Sequence, residues 1–379
     1  MKVIQPGSTI GILGGGQLGR MMVLAGRNMG YRFMTLDPTP DSPCGQVADQ
    51  QIIADFSDIR AAEELAQSSA VVTYEFENVH ADVAQQLEQN SYVPQGSELL
   101  RITQHRIREK TTLASFGIPV APFEVIKSES DLHNAVKKLG TPCVMKTATG
   151  GYDGKGQWVI RSEAEIPQAF AELSRAGTVL IVEEFIPFTK ELSVIAARNS
   201  QGEVKAFPVG ENIHVDNILH QTIIPARIDS ELHEKAEQIA LQIAESFEVV
   251  GLVAVEMFLT EQGELIVNEL APRPHNSGHY TMEACLTSQF EQHVRAICGL
   301  PLGSVEMMSA VVMINILGEH LSDVMDKLAD LPATAKLHLY GKEKSQPKRK
   351  MGHINFLAPT VEEALEQIER LKIWSLTEE

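Results

Sequence analysis

Two acids stand where buried strands favour apolar residues: Glu256 in the run Leu252–Leu259, and Glu269 in the run Leu265–Leu270. The polar turn between the runs, with Gly263, makes the pair a β-hairpin. If the turn holds an even number of residues, both carboxylates fall on one sheet face as opposite or diagonal neighbours. Diagonal neighbours lie about 7–8 Å apart, a gap that one or two cations fill. Two carboxylates beside Asn268 are hard oxygen donors suited to Mg²⁺, which takes few protein ligands and completes its shell with substrate phosphates. Val253, Val255, Ile266 and Val267 leave little room for a solvated face, which argues against acids that merely meet water. Arg273, His275, Asn276, Ser277 and His279 follow at once, packed into a loop broken by Pro and Gly.

A second group of residues suits phosphate. Thr149-Gly150-Gly151-Tyr152-Asp153-Gly154-Lys155-Gly156-Gln157 separates two strand-like runs, and its glycines expose backbone N–H groups able to wrap phosphate oxygens. It is not a Walker A loop, because the G-x-x-x-x-G-K-[ST] spacing is absent and no helix follows. Lys146 ends the preceding strand, placed to reach a phosphate as a point charge. Val182-Glu183-Glu184-Phe185-Ile186 ends another strand, where backbone can read an adenine edge while Glu191 takes ribose hydroxyls. Near the start, Gly14-x-Gly16-x-x-Gly19 with Asp37 beyond meets the dinucleotide fingerprint on paper.

These residues need elements to hold them. Thr9–Leu13 reads as a strand, Gln17–Met29 as a helix and Tyr31–Leu36 as a strand, and Gln51–Ala54 and Ala70–Tyr74 continue the alternation. Glu98–Ser115 reads as one helix with Arg101, Arg106, Arg108 and Lys110, and Pro119 and Pro122 mark a boundary after it. Strands at Cys143–Lys146, Trp158–Ile160 and Val179–Glu184 surround a helix at Ala164–Ser174, and Leu192–Arg198 with Val204–Val209 forms a hairpin. Ser230–Phe247 is a long amphipathic helix. Past Gly299 come strands Ser309–Leu317, Lys336–Tyr340 and His353–Leu357 and a last helix, Val361–Leu371.

At 379 residues the chain exceeds one ordinary domain, and 44% hydrophobic residues supply proper cores. A net charge of −18 argues against nucleic acid or an anionic membrane as partner, though a few local cations suffice for a small anionic substrate. The four cysteines, Cys44, Cys143, Cys285 and Cys298, are scattered without a C-x-x-C pair, so packing is their role. With no secretory leader pattern and no run of about 18 apolar residues, a cytoplasmic setting is expected.

GILGGGQLGRM at the start, TGGYDGKGQ in the glycine loop, NELAPRPHNSGH after the hairpin and RKMGH near the end, in that order, resemble the ATP-grasp superfamily, and within it the carboxylases of purine biosynthesis that act on an aminoimidazole ribonucleotide. The resemblance spans nearly the whole chain. It implies an α/β and α+β chain with a Rossmann-like pre-ATP-grasp domain over 1–97, a two-lobed ATP-grasp domain over 98–299 with its central lobe at about 113–186, and a small C-terminal β-rich domain over 300–379. It implies that ATP and bicarbonate form carboxyphosphate, which carboxylates the exocyclic amine of 5-aminoimidazole ribonucleotide. By the same resemblance, ATP contacts fall on Arg106, Lys146, Gly151, Tyr152, Asp153, Gly154, Lys155, Gly156, Gln157, Glu183, Glu184, Phe185, Ile186, Glu191, His214, Asn268 and Glu269. Glu256 and Glu269 hold Mg²⁺, and Tyr152, Asp153, Arg273 and His275 line the reaction centre. Gln17, Glu75, Asn276 and Ser277 serve the ribonucleotide side, and Lys342, Arg349 and Lys350 take its 5′-phosphate. A homodimer is implied as well.

Activating bicarbonate brings two anions together, so cations are needed on both, and water must be kept from a labile intermediate. Asp153 or the released phosphate takes the amine's proton; the residues do not choose between them. Rival readings are a sister ATP-grasp ligase of the biotin carboxylase or formate-dependent glycinamide ribonucleotide transformylase type, a nicotinamide oxidoreductase built on the first glycine loop, and a non-catalytic nucleotide-binding scaffold. The second leaves Lys146, the glycine flap and the Glu256/Glu269 pair unexplained.

Overall fold

A computed structural model describes residues 2–150, 155–174 and 178–374. The first unit alternates β1 (Thr9–Leu13), α1 (Gln17–Asn28), β2 (Arg32–Leu36), β3 (Gln50–Ile52), α2 (Ile59–Gln67), β4 (Val71–Tyr74) and α3 (Ala81–Asn90). Its sheet is parallel in the order β3-β2-β1-β4. Helices cover both faces, so β4 is buried at every position and β1 at all but its first. The carboxyl ends of β1 and β4 bring the Gly14–Gly16 turn beside Glu75.

The single helix expected over 98–115 is two helices, α4 (Glu98–Thr103) and α5 (Arg106–Ser115). No Gly or Pro breaks it. His105 is instead extended, and the Gln104 side chain donates to the carbonyls of Glu77 and Val79, both at 2.7 Å. Tertiary hydrogen bonds override the helical pattern here. The restart frees the Arg106 N–H to donate to the Ala148 carbonyl at 2.8 Å, tying α5 to the base of the glycine flap.

Next come β5 (Phe123–Ile126), α6 (Glu129–Leu139), β6 (Cys143–Thr147), β7 (Gln157–Ile160), α7 (Ile166–Leu173) and β8 (Leu180–Glu184). They build a small antiparallel sheet ordered β5-β8-β6-β7. Lys146 pairs with Gln157, and the Thr147 N–H donates to the Gly156 carbonyl at 2.9 Å, so the glycine flap connects a hairpin.

The remaining strands form one sheet. They are β9 (Phe188–Arg198), β10 (Val204–Ala206), β11 (Gly210–Val215), β12 (Ile218–Ile224), β13 (Gly251–Thr260) and β14 (Leu265–Ala271), with α8 (Ser230–Ser246) between β12 and β13. After them come α9 (Thr281–Ala284), α10 (Gln289–Ile297), β15 (Ala310–Leu317), α11 (Leu321–Asp326), β16 (Ala335–Leu339), β17 (Lys350–Ala358) and α12 (Val361–Leu371). The strand order is β14-β13-β9-β11-β12-β15-β17-β16, with β10 on β9. The C-terminal strands thus extend the sheet that carries the paired acids. Beneath it, Ala236, Ile239, Ala240, Ile243 and Ala244 of α8 pack on Val253, Val255 and Met257 of β13. Each fully buried Val or Ile contributes about 1.5–3 kcal/mol, enough to hold β13 flat against its helix. No helix among the described residues is long and apolar enough to cross a membrane.

Candidate active site

The hairpin's geometry turns on one residue. Leu259 pairs with Leu265, enclosing residues 260–264, an odd number. That register alone would set Glu256 opposite Asn268 and turn Glu269 to the other face. A β-bulge corrects it: Met257 pairs with Val267 and Glu256 with Glu269, leaving Asn268 as the extra residue. The two carboxylates then share a face as direct neighbours. Burial pushes the Glu256 carboxyl up, and the facing Glu269 pushes it further. Glu256 Oε1 lies 3.3 Å from His275 Nε2, and Glu269 Oε2 lies 3.3 Å from Arg106 Nη1. Among the described residues no cluster of three His, Cys, Asp or Glu side chains forms a metal cage. A repelling pair of hard oxygen donors fits a cation that leaves most of its shell to substrate and water, as Mg²⁺ does.

These acids open on a cavity of about 1080 Å³. Of the residues singled out from sequence, Arg106, Lys146, Lys155, Gln157, Glu183, Glu184, Phe185, Ile186, Glu191, His214, Asn268, Arg273, His275, Asn276 and Lys350 line it along with Glu256 and Glu269. Its cationic wall is built on Glu183, which is 3% exposed and takes Lys146 Nζ at 2.9 Å and Lys110 Nζ at 3.3 Å on the same oxygen. Burial lowers the Lys146 ammonium despite Glu183, with Lys110 and Arg106 adding to the effect. His214 Nδ1 lies 3.2 Å from Glu191 Oε1, which raises the imidazole against the pull of burial. Arg273 forms an ion pair with Glu77, joining the loop after the β13–β14 hairpin to the end of the first sheet. Phe188 and Phe258 stack at 4.5 Å between centroids, and with Ile266, Val144 and Val159 they give the cavity an apolar side.

Other candidates sit apart from that lining. The N–H groups of Gly16 and Gly19 donate to the Glu75 carboxylate, and that of Gly15 to Asp37 at 2.8 Å. The anion at this helix N-terminus is therefore the chain's own. A Cβ at Gly14 would meet Glu75 Cγ at 2.4 Å, so this glycine serves the close approach of an acid. Burial pushes Glu75 to about 7 in spite of those two donors. Gln17 begins α1 beside it, outside the cavity lining. Ser277 is 1% exposed and lies behind His275. Lys342 donates to the Lys350 carbonyl at 2.7 Å, and Arg349 to that of Lys344 at 2.7 Å. Burial, then Arg349 and Lys350, lower the Lys342 ammonium to about 8, against the opposing pull of Glu75. Gly151, Tyr152, Asp153 and Gly154 lie outside the described residues, and Gly156 sits at the flap's base.

Lys110, Glu109 and Glu77 also line the cavity, and no local sequence signal marks them. Lys110 is 2% exposed and Glu109 3%, and burial with Glu269 raises the Glu109 carboxyl to about 8. Adjacent charged residues in a helix read as a solvated face; only a restart of the helix at Arg106 turns both inward.

Comparisons with known proteins agree with this layout. A family model described as the ATP-grasp domain matches residues 111–290. Models for a ribonucleotide synthetase preATP-grasp domain and a phosphoribosylaminoimidazole carboxylase C-terminal domain match 7–104 and 311–367. The N5-carboxyaminoimidazole ribonucleotide synthase of Bacillus subtilis (strain 168) is 49% identical over 367 residues, 97% of this chain and 96% of that protein. The crystal structure of an N5-carboxyaminoimidazole ribonucleotide synthetase in its ADP complex matches with a TM-score of 0.95 and 53% identity, over 99% of this chain and 98% of that one. The Aspergillus clavatus N5-carboxyaminoimidazole synthase, in complex with ADP and 5-aminoimidazole ribonucleotide, matches with a TM-score of 0.90 and 33% identity, over 96% of this chain and 97% of that one. Paired acids on a bulged hairpin, a buried cationic wall and this similarity from end to end lead to one statement: the chain belongs to the N5-carboxyaminoimidazole ribonucleotide synthase family of the ATP-grasp superfamily.

Proposed function

We propose that this chain carboxylates the exocyclic amine of 5-aminoimidazole ribonucleotide at the expense of ATP, giving N5-carboxyaminoimidazole ribonucleotide in purine biosynthesis. The observation that carries the reading is the facing of Glu256 and Glu269 across the bulge, at the mouth of a cavity walled by Lys146, Lys110 and Arg106. A bicarbonate oxygen attacks the γ-phosphorus, the bond to the β-γ bridging oxygen breaks, and ADP leaves. The amine nitrogen of the ribonucleotide then attacks the carbon of carboxyphosphate, inorganic phosphate leaves, and the nitrogen loses a proton to Asp153 or to that phosphate. Arg273 orients bicarbonate, Lys146 neutralises the nucleotide's phosphates, and His275 lines the reaction centre. Glu256 and Glu269 hold Mg²⁺, which when bound neutralises triphosphate charge.

The flap residues Gly151–Gln157 with Tyr152 close over the phosphates and keep water from the intermediate. Glu183, Glu184, Phe185, Ile186, Glu191, His214 and Asn268 make up the rest of the nucleotide site. Gln17, Glu75, Asn276 and Ser277 attend the ribonucleotide, and Lys342, Arg349 and Lys350 take its phosphate. The domains run 1–97, 98–299 and 300–379, and the enzyme is a cytoplasmic homodimer. Engagement of the α1 N-terminus by Glu75 speaks against the nicotinamide alternative, since a pyrophosphate would need that place. The test is phosphate release with ATP, Mg²⁺, bicarbonate and the ribonucleotide, each omitted in turn. Full release requires all four; full-rate release without the ribonucleotide would overturn the assignment.

A further inference from the structure

Ser277 is buried, yet two donors converge through it on one ring nitrogen. Its backbone N–H donates to His275 Nδ1 at 3.4 Å, and its Oγ lies 2.9 Å from the same atom. Ser193, 3% exposed, donates its hydroxyl to Ser277 Oγ at 2.8 Å, so the Ser277 hydroxyl hydrogen is left to point at Nδ1. Nδ1 is then the acceptor and the ring hydrogen sits on Nε2, which faces Glu256 Oε1 at 3.3 Å. The path closes on itself, because Ser193 is the cross-strand partner of Glu256 between β9 and β13. The backbone of His275 is clamped by fully buried Gln289, which accepts from its N–H at 2.9 Å and donates to its carbonyl at 2.7 Å. Gly278 completes the clamp: a Cβ there would lie 2.5 Å from Gln289 Oε1.

We infer that Ser277, backed by Ser193, is a positioning residue that fixes His275 in the Nε2–H tautomer, so that the nitrogen facing the cavity is a donor to Glu256 and to anionic reactants. The opposite tautomer would set an Nδ1–H against the Ser277 N–H and a lone pair against a carboxylate. This inference rests on the placing of His275 and Glu256 in the reaction centre, and it reassigns Ser277 from touching substrate to acting through His275.

The test uses the full-length free enzyme labelled with ¹⁵N-histidine, with His275→Gln to assign the ring signals. The long-range ¹H–¹⁵N spectrum should show His275 as the Nε2–H tautomer, and Ser277→Ala should convert it to a mixture. In turnover, Ser277→Ala should lose about 10–100-fold in kcat, the range for removing such an outer contact, with the KM for ATP within about twofold. Ser277→Thr keeps the hydroxyl and should restore the tautomer and most of the rate. Ser193→Ala, which leaves Ser277 in place, should shift both readouts the same way by less, and it decides the matter if Ser277→Ala does not fold. An unchanged tautomer, an unchanged kcat, or equal losses in the alanine and threonine variants would each overturn the inference. Absence of carboxylation by the wild-type enzyme would overturn the functional reading instead, leaving the tautomer to decide this one.

Discussion

Glu183→Gln isolates the electrostatics of the cationic wall. In the free enzyme one carboxylate oxygen serves two ammonium groups, Lys146 at 2.9 Å and Lys110 at 3.3 Å; Glu183 and Lys110 are buried, and Lys146 is half-buried at the cavity wall. Burial alone pushes the Glu183 carboxyl up, but Lys110 and Lys146 more than reverse this and hold it below the ordinary range. The amide keeps the shape and removes the charge, leaving buried Lys110 and half-buried Lys146 without their counter-ion. Removing one partner of a buried ion pair costs about 3–5 kcal/mol, and that is the expected fall in unfolding free energy at pH 7. Because the folded pKa is depressed, Glu183 contributes this stability above the unfolded value of 4.5 and loses it as pH falls through the folded value. Wild-type and variant curves should therefore converge in acid. Urea unfolding monitored across pH 3–8 measures it. Nucleotide adds a second prediction, since a bound triphosphate returns negative charge to the same lysines. Saturating ATP analogue should raise the variant's midpoint more than the wild type's. A loss under about 1 kcal/mol, the size of a solvent-screened pair, would refute the claim that Glu183 acts as the buried counter-ion of this wall.

Glu269→Gln should abolish turnover with far-UV dichroism and melting unchanged; near-normal activity would remove Glu269 from the metal. Arg349→Ala should raise the KM for the ribonucleotide far more than that for ATP, whereas equal rises in both would take it out of the phosphate site. Glu75, with a folded pKa raised to about 7 from 4.5, binds protons more tightly folded than unfolded, so its contribution falls as pH rises through that window. Glu75→Gln should accordingly gain stability relative to wild type between pH 5 and 8, and parallel curves would contradict the burial argument.

How much of this could be read in advance depended on the range of the interactions. The hairpin of β13 and β14 was legible because alternation and Gly263 are local signals, and α12 has the expected span. The bulge at Asn268 was not, since a bulge is set by what packs on each face, and the sequence shows only a polar residue between Val267 and Glu269. The break between α4 and α5 was hidden for a similar reason: Gln104 ends a helix by bonding to carbonyls at 77 and 79, over twenty residues away. The β11–β12 hairpin escaped notice because its turn, Asp216-Asn217, takes positive φ without glycine. Lys146 announced itself at a strand end, whereas Lys110 looked like any charge on a basic helix.

Three parts of the chain must act as one for this chemistry, and specific contacts explain how. Arg273 follows the β13–β14 hairpin but is held by Glu77, two residues beyond Glu75 at the end of the first sheet. Gln95 donates to the carbonyl of Pro272 at 2.7 Å while its own Oε1 accepts from Thr73, so the residue before Arg273 is pinned to β4. From the other side, Gln46 donates to the Gly341 carbonyl at 2.9 Å, docking the turn that carries Lys342 on the first unit. Lys350 begins β17, in the same sheet as Glu256, and its charge acts on both Glu77, held low chiefly by Arg273 against burial, and Glu256, held high by burial and Glu269. A hinge between the first and last units would separate Lys342 and Lys350 from Arg273. The small β5-β8-β6-β7 sheet joins the same frame: the Arg106 N–H donates to the Ala148 carbonyl, Lys110 pairs with Glu183, and Val120, just before β5, bridges to Val267 beside the paired acids. Arg106 also pairs with Glu269, so the base of the glycine loop and the paired acids are linked through one residue.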